Sequence, residues 1–321
     1  PRQMAIMLQN TTKPITFVSE SMENNVCAVE MAAAVAGDIQ LLAQKPFVIS
    51  YAQTVDPFTH SQEGVQRLMY NAKNNIPTIY SPGIARGTLT PLTPAGAVAL
   101  ASAGQLAGVV LAQLKREGAP IIRTNPGGEY MDLRTMITLY CYPDSGPFPW
   151  DLTHSQGLPT FGVGGCSDAK IFDAQAAAEA TLNLFTHALG GCSLVHDIGY
   201  LDAAMTGSME LVAFSDEIIS WLKRYLRPAE INEESLALDE IDAVGPDGAF
   251  LESKQTLAHL RDDWQPTLFD RFDYDRWADR GATTLQQRAN KKVKDILASH
   301  QPTPLPENIV DKINSILIKY I

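Results

Sequence analysis

Charge is scarce in this sequence. Only 19% of its 321 residues are Asp, Glu, Lys or Arg, while 45% are hydrophobic, so the chain can bury a large core and is neither a disordered tail nor a small stapled module. Basic charge is scarcer still: 25 Lys and Arg against 36 Asp and Glu leave a net charge of −11. That field repels phosphate backbones and anionic lipid, which argues against nucleic-acid and membrane-surface partners. Cysteine is also sparse. Cys27, Cys141, Cys166 and Cys192 show no C-x-x-C spacing, and reduced thiols in a cytoplasmic setting are the expectation. The six histidines form no H-x-x-x-H or H-x-H pair, so a dedicated histidine metal site is not expected. No G-x-G-x-x-G, G-x-x-x-x-G-K-[ST] or G-x-S-x-G motif occurs, which leaves the chain without a nucleotide fingerprint or a nucleophile elbow. The start, Pro-Arg-Gln-Met, has no initiator Met and no signal-like stretch, and the sequence reads as one that begins inside a longer protein.

What charge there is lies unevenly. Residues 1–227 carry 33 charged side chains and residues 228–321 carry 28, so the density doubles near Arg227. A core covered on both faces reads as apolar and a water-facing segment needs charge. The expected organisation is therefore a core domain, 1–227, followed by a charged extension, 228–321. Residues 87–114 run without any charge. Their content is mostly Ala and Gly, and Thr93-Pro94 is a helix-start signal, so a buried helix is expected there and not a membrane span.

Short β-rich runs alternate with Ala-rich helical runs along the core. Strands are expected at 14–19, 47–54, 77–82, 120–125, 159–165 and 192–197, while 131–142 is ambiguous between strand and hairpin. Helices are expected at 22–44, from a Thr59-x-x-Gln62 capping box to 75, from Pro94 to about 117, at 148–157, from Asp173 to 190 and at 208–226. Strand–helix alternation argues for parallel strands joined by crossover helices. Without a nucleotide fingerprint, a (β/α)8 TIM barrel lacking its amino-terminal part is favoured over an open doubly wound sheet, with an α-rich carboxyl-terminal extension.

In such a barrel, chemistry gathers at the carboxyl ends of the strands. The residues closing the expected strands are Glu20, Gln53, Asp56, Tyr80, Arg86, Asn125, Tyr140, Cys166, Asp168, His196 and Asp197. Cys166 has no assignable base and reads as a small buried thiol. Asp168 and Lys170 follow a strand directly, and His196 closes the last one. These three could alternatively serve a lyase or decarboxylase acting on a small anion, and a catalytically silent osmolyte-binding barrel is a third possibility. Tyr51, Tyr80 and Tyr140 sit in or at the end of strands, and converging aromatic faces on an acidic protein suit a cationic ligand.

Three runs, SPGIARGTLTPLTPAG (81–96), LPTFGVGGCSDAKIFDAQAAAEAT (158–181) and AVGPDGAFLESKQTLAHLRDDWQP (243–266), resemble the trimethylamine methyltransferase superfamily, with the match extending over nearly the whole chain. The resemblance implies a barrel methyltransferase that moves a methyl group from a methylated amine to the cobalt(I) of cobalamin carried by a separate corrinoid protein, and a homo-oligomer. Members are longer at the amino end. The trimethylamine enzymes use pyrrolysine, whose equivalent position falls near Gly165 or Cys166. This chain has only standard residues, so it resembles the non-pyrrolysine branch that includes glycine betaine methyltransferases. A quaternary ammonium leaves as a neutral amine when cobalt(I) attacks, so the protein need only desolvate and aim it. On that reading Tyr80, Tyr140 and Tyr51 would face the cation and Arg86 would meet a betaine carboxylate. Asp168 and Glu20 would balance the ammonium charge, and His196 or Asn125 would orient the carboxylate or a water.

Overall fold

A computed structural model describes residues 1–54, 57–83, 85–142 and 148–320. The chain opens with α1 (Arg2–Asn10), β1 (Ile15–Val18), α2 (Met22–Ala36) and α3 (Ile39–Gln44), then β2 (Val48–Gln53), α4 (Gln62–Lys73), β3 (Thr78–Ser81), the short β4 (Ala85–Arg86) and α5 (Pro94–Lys115). It continues through β5 (Ile121–Thr124), the hairpin β6 (Glu129–Asp132) and β7 (Ile137–Leu139), α6 (Phe148–Ser155), β8 (Thr160–Val163), α7 (Ala174–Leu189) and β9 (Leu194–His196). A small hairpin, β10 (Tyr200–Leu201) and β11 (Thr206–Gly207), precedes α8 (Met209–Tyr225). The remainder is helical: α9 (Glu233–Leu236), α10 (Leu238–Val244), α11 (Lys254–His259), α12 (Tyr274–Asp279), α13 (Leu285–Ser299) and α14 (Glu307–Lys319).

Six strands form one curled parallel sheet in the strictly sequential order β1-β2-β3-β5-β8-β9. A doubly wound sheet must reverse its strand order at a switch point. No reversal occurs here, and the sheet has the topology of a barrel sector. Side chains alternate across it with period two. Ile49, Ile79, Ile122, Phe161 and Leu194 form one apolar layer on the concave face. The opposite parity packs outward, where Tyr80 joins Ala52, Leu68, Ala112 and Ile121 beneath the helices. Tyr51 pairs in register with Ile79 and Ala52 with Tyr80, so Tyr51 and Tyr80 occupy opposite faces of the sheet.

The uncharged run is α5, packed over β3 and β5 beside α4. By length and composition it could cross a membrane, yet Ala101, Ser102, Gln105 and Gly108 on it are buried. Gly108 lies so close to Tyr80 that a Cβ there would sit 2.1 Å from the phenol ring.

The expected helix 22–44 is broken at Gly37, whose φ of +111° suits glycine, and Asp38 restarts the chain by accepting the Gln40 and Leu41 amides. Helix α4 is capped by Ser61, which accepts the Gly64 amide, and not by the expected Thr59 box, because Gln62 is already its first helical residue. Asp173 caps α7 as expected, accepting the Ala176 amide at 3.0 Å. Asp173→Ala is expected to lose about 1 kcal/mol of stability, measurable as a lower urea midpoint at unchanged slope. The last helices return to the body: α13 packs along α8, and α14 lies across α2 and α1.

Candidate active site

The carboxyl ends of the parallel strands converge on a cleft of about 800 Å³, measured out to its open mouth. Gln53 closes β2, Ser81 closes β3, Thr124 and Asn125 close β5, Val163 closes β8 and His196 closes β9, and all of them line it. Its roof is a separate three-stranded sheet, β4-β6-β7, inserted after β3 and β5. That roof contributes Glu129, Tyr130, Leu139, Tyr140 and Tyr142, while Tyr51 and Phe161 rise from the floor.

At one wall His196 lies flat on Phe161, with ring centroids 4.0 Å apart and planes within 3°. Its Nδ1 is 2.8 Å from Asp197 Oδ1. An ionised carboxylate only accepts, so Nδ1 carries the proton and donates. The other Asp197 oxygen accepts the Tyr140 hydroxyl at 3.1 Å. Burial, followed by the charge of Asp197, pushes the Tyr140 phenol far above its ordinary range, and it stays a protonated donor. Asp197 holds both partners from a left-handed backbone, φ +66°, a conformation that a non-glycine residue keeps only where its surroundings impose it.

The opposite wall carries Glu129 beside two stacked rings, Tyr130 and Tyr142, with centroids 3.8 Å apart. Water in the cleft reaches Glu129, yet protein surrounds most of the side chain. Burial lifts its carboxyl above the usual glutamate range, Asp197 lifts it further, and His196 pulls it partly back. Arg86 lies behind the rings, its guanidinium carbon 4.8 Å from the Tyr142 centroid and 5.6 Å from that of Tyr130. It is 3% exposed and is not among the lining residues.

Of the residues expected from sequence, Tyr51, Asn125, Tyr140 and His196 meet in the cleft. Tyr80 does not: it points outward, its hydroxyl 2.7 Å from His60 Nδ1, and burial pushes it up to about 12. Glu20 is exposed after β1 and outside the lining. Asp168 is a brace for the roof, its two oxygens accepting the Tyr140 and Cys141 amides at 2.8 and 3.1 Å. Burial raises its pKa and those amides recover only part of the shift. Lys170 donates to the Asp168 carbonyl at 2.7 Å and pairs with Asp202 at 2.9 Å, and neither Asp168 nor Lys170 lines the cleft that His196 does, so the three do not share one site as a lyase would require. Cys166 is fully buried, with burial holding its thiol protonated, and Asn183 binds its carbonyl at 2.8 Å. Asp56 lies outside the described residues.

Glu129, Tyr130 and Tyr142 were not anticipated. They arrive on the roof hairpin, whose sequence was ambiguous, although Tyr140 and Tyr142, two positions apart, carry the spacing of one strand face. The described lining holds a carboxylate and many ring faces and contains no Lys or Arg. Chemically it can desolvate a small cation against aromatic faces and fix it with a carboxylate, leaving the mouth open to a second reactant. Among the described residues no group of three His, Cys, Asp or Glu side chains is placed to hold a metal ion.

A sequence profile of the family described as trimethylamine methyltransferase (MTTB) matches residues 3–320. Trimethylamine methyltransferase MttB of Desulfitobacterium hafniense is 30% identical over 97% of this chain and 63% of its own length. Glycine betaine methyltransferase of the same species is 31% identical over 97% of this chain and 65% of its own. Trimethylamine methyltransferase MttB of Methanosarcina barkeri is 29% identical, covering 97% and 64%. The chain thus spans a little under two thirds of the length of these relatives.

Proposed function

We propose that this chain, which belongs to the trimethylamine methyltransferase family, binds a small quaternary ammonium compound in the cleft and presents one of its methyl groups to the cobalt(I) of a corrinoid protein. The observation that carries this is the lining itself: Tyr51, Tyr130, Tyr140, Tyr142 and Phe161 around Glu129, with no cation among the described lining residues. Such a surface favours a permanent positive charge. The acceptor supplies a strongly nucleophilic metal. The chain's own part is to strip water from the ammonium, hold its nitrogen near Glu129 and turn one methyl group toward the mouth. Tyr140 and His196, locked by Asp197, fix the wall against which the donor rests. As the C–N bond breaks, nitrogen keeps the electron pair and leaves as a neutral tertiary amine, weakening its hold on Glu129 and favouring release.

Glycine betaine is the donor type to which the resemblance points, and its carboxylate would need a partner. Asn125 and Gln53 line the cleft and can donate from their side-chain amides, whereas Arg86 acts through the rings it supports. Arg86→Ala is therefore expected to weaken glycine betaine and tetramethylammonium alike, by about fivefold, the equivalent of the ~1 kcal/mol a cation–π contact contributes. A loss confined to betaine in calorimetry would instead make Arg86 the carboxylate partner. A full (β/α)8 closure with the extension at 228–321, a reduced cytoplasmic location and a homo-oligomeric assembly belong to the same proposal.

The test is to mix the full-length protein with its corrinoid partner reduced to cobalt(I) and follow the absorbance of methylcobalt(III) on adding glycine betaine, choline or trimethylamine. Transfer from a quaternary donor is expected. Binding of the donors without any transfer would select the silent osmolyte-binding barrel, and absence of both binding and transfer would overturn the proposal.

A further inference from the structure

Between Arg227 and Asp263 the chain leaves the body as an arm. Helices α9, α10 and α11 lie on it, and none of them has a single buried residue. The arm is not polar, however. Ile231 is 79% exposed, Leu238 64%, Leu251 80% and Leu260 64%. Helices of four, seven and six residues are too short to persist in water on propensity alone, so this apolar surface needs a cover. The first part of the arm also has one sign of charge. From 228 to 253 it carries eight carboxylates and no Lys or Arg.

At the root of the arm the body carries the complement. Trp221 and Trp264 stack with centroids 5.6 Å apart and planes within 13°, and Trp264 donates from Nε1 to Ser220 Oγ at 2.9 Å. Around these indoles an open groove is lined by Arg224, Arg227 and Arg271 together with the exposed face of Tyr225. Arg224 meets Asp263 at 3.6 Å. Among the described residues no carboxylate pairs with Arg227 or Arg271. Three arginines around two tryptophans stand out on a chain of net charge −11, and aromatic and Arg side chains are what interface centres are rich in.

We propose that this groove receives the acidic arm of a second copy of the chain, and gives its own arm in return, as a two-fold symmetric dimer. Arm and groove are carried by the same chain, so a two-fold axis satisfies both at once and closes the contact, where any other rotation would propagate it to a third copy. Apolar arm residues meet the indoles and the carboxylates meet the arginines, covering both surfaces at once. A corrinoid partner fits this groove poorly. Helix α8 starts next to the strand ends at Ser208 and runs 17 residues away from them, about 25 Å at ~1.5 Å per residue. The groove at its far end therefore lies on the opposite side of the sheet's strands from the cleft mouth, where a methyl acceptor must reach. The dimer gives a surface to the oligomer clause of the proposed function and does not depend on methyl transfer.

The experiment is a charge swap on the full-length protein, read by sedimentation and light scattering in solution. One variant carries R227E and R271E in the groove, and the other carries E233K, E234K, D239K, E240K and D242K on the arm, which leaves three carboxylates against five lysines between 228 and 253. The parent is expected to be a dimer at micromolar concentration, each variant alone a monomer, and an equimolar mixture of the two a dimer again, because acidic groove then meets basic arm and basic groove meets acidic arm. Circular dichroism matching the parent separates loss of the interface from loss of the fold, and restoration on mixing cannot come from misfolded chains. A monomeric parent whose arm amides exchange freely with deuterium overturns the proposal. So does a parent whose arm is protected while it is monomeric, since the arm would then be seated on its own chain. Variants that remain dimeric, or a mixture that remains monomeric, overturn it equally.

Discussion

Glu129→Gln is expected to weaken binding of tetramethylammonium by about ten- to a hundredfold while leaving the fold intact. Two unit charges ~4 Å apart attract by about 4 kcal/mol at an effective dielectric of about 20. The open mouth screens part of that, and a tenfold loss needs only about 1.4 kcal/mol. Glutamine keeps the shape of the side chain and removes the charge, so the stacked rings of Tyr130 and Tyr142 remain available to the ligand. Calorimetry with tetramethylammonium, which offers neither a carboxylate nor a proton, isolates the cation site. Unchanged affinity in the variant would remove Glu129 as the anchor of the ammonium.

The same variant carries a pH signature. A quaternary ammonium does not titrate, so any loss of binding on the acid side belongs to the protein. Glu129 has its pKa raised chiefly by burial, and its carboxylate is therefore neutralised at a pH above the ordinary glutamate range. Parent affinity should begin to fall there, and Glu129→Gln should be flat across that interval. Stability moves in the opposite direction. A carboxyl whose pKa is raised on folding destabilises the native state once the pH exceeds that pKa, so ligand-free Glu129→Gln should melt no lower than the parent at neutral pH. Lower affinity at undiminished stability distinguishes a binding residue from a structural one.

The six parallel strands were legible because each is a compact β-rich run bounded by Pro or Gly and followed by a helix, Ala-rich after β1, β3 and β8. The site was only half legible, for a reason of parity. Tyr51 and Tyr80 both sit in strands, but pairing of Tyr51 with Ile79 puts Tyr80 on the outer face, and register is a property of two strands together. Asp168 follows a strand as catalytic residues do, yet its carboxylate is taken by the Tyr140 and Cys141 amides, contacts 27 and 28 positions away that no local pattern announces. The roof was least legible. Its strands β6 and β7 hold seven residues between them, and their value lies in laying Glu129, Tyr130 and Tyr142 over a cleft whose floor comes from other segments. The extension hid a further feature: α14 was not anticipated, since its apolar stripe, buried at Ile313, makes sense only against α1 and α2 at the other end of the chain.

Glu217→Ala is expected to be the most destabilising of the single changes considered. Glu217 sits on α8, 2% exposed, where the returning extension passes over it. Its oxygens accept the Thr267 amide at 2.9 Å, the Thr267 hydroxyl at 2.7 Å, the Leu268 amide at 2.8 Å and the Phe269 amide at 3.1 Å. Burial works to raise its pKa, but these donors outweigh burial and leave it below the usual glutamate value. The alanine variant unpairs three amides and a hydroxyl; those of the exposed Thr267 can turn to water, while the Leu268 and Phe269 amides are left where Leu268 is buried against the core around Phe214 and Ile218. Each unmet buried donor costs about 1–3 kcal/mol, so even with water recovering part of this the loss should be on the order of 3–5 kcal/mol. The measurement is the urea midpoint of the full-length protein, and a shift equivalent to less than about 1 kcal/mol would show that the clamp contributes little. Glu217→Gln supplies the electrostatic control. Because the native pKa is depressed, the stability that the charge contributes is complete above the unfolded glutamate pKa of about 4.3 and is lost as the pH falls through the lower native value. The gap between parent and Glu217→Gln should therefore be widest near neutrality and close in acid, whereas the Glu217→Ala deficit should persist at every pH at which the parent remains folded.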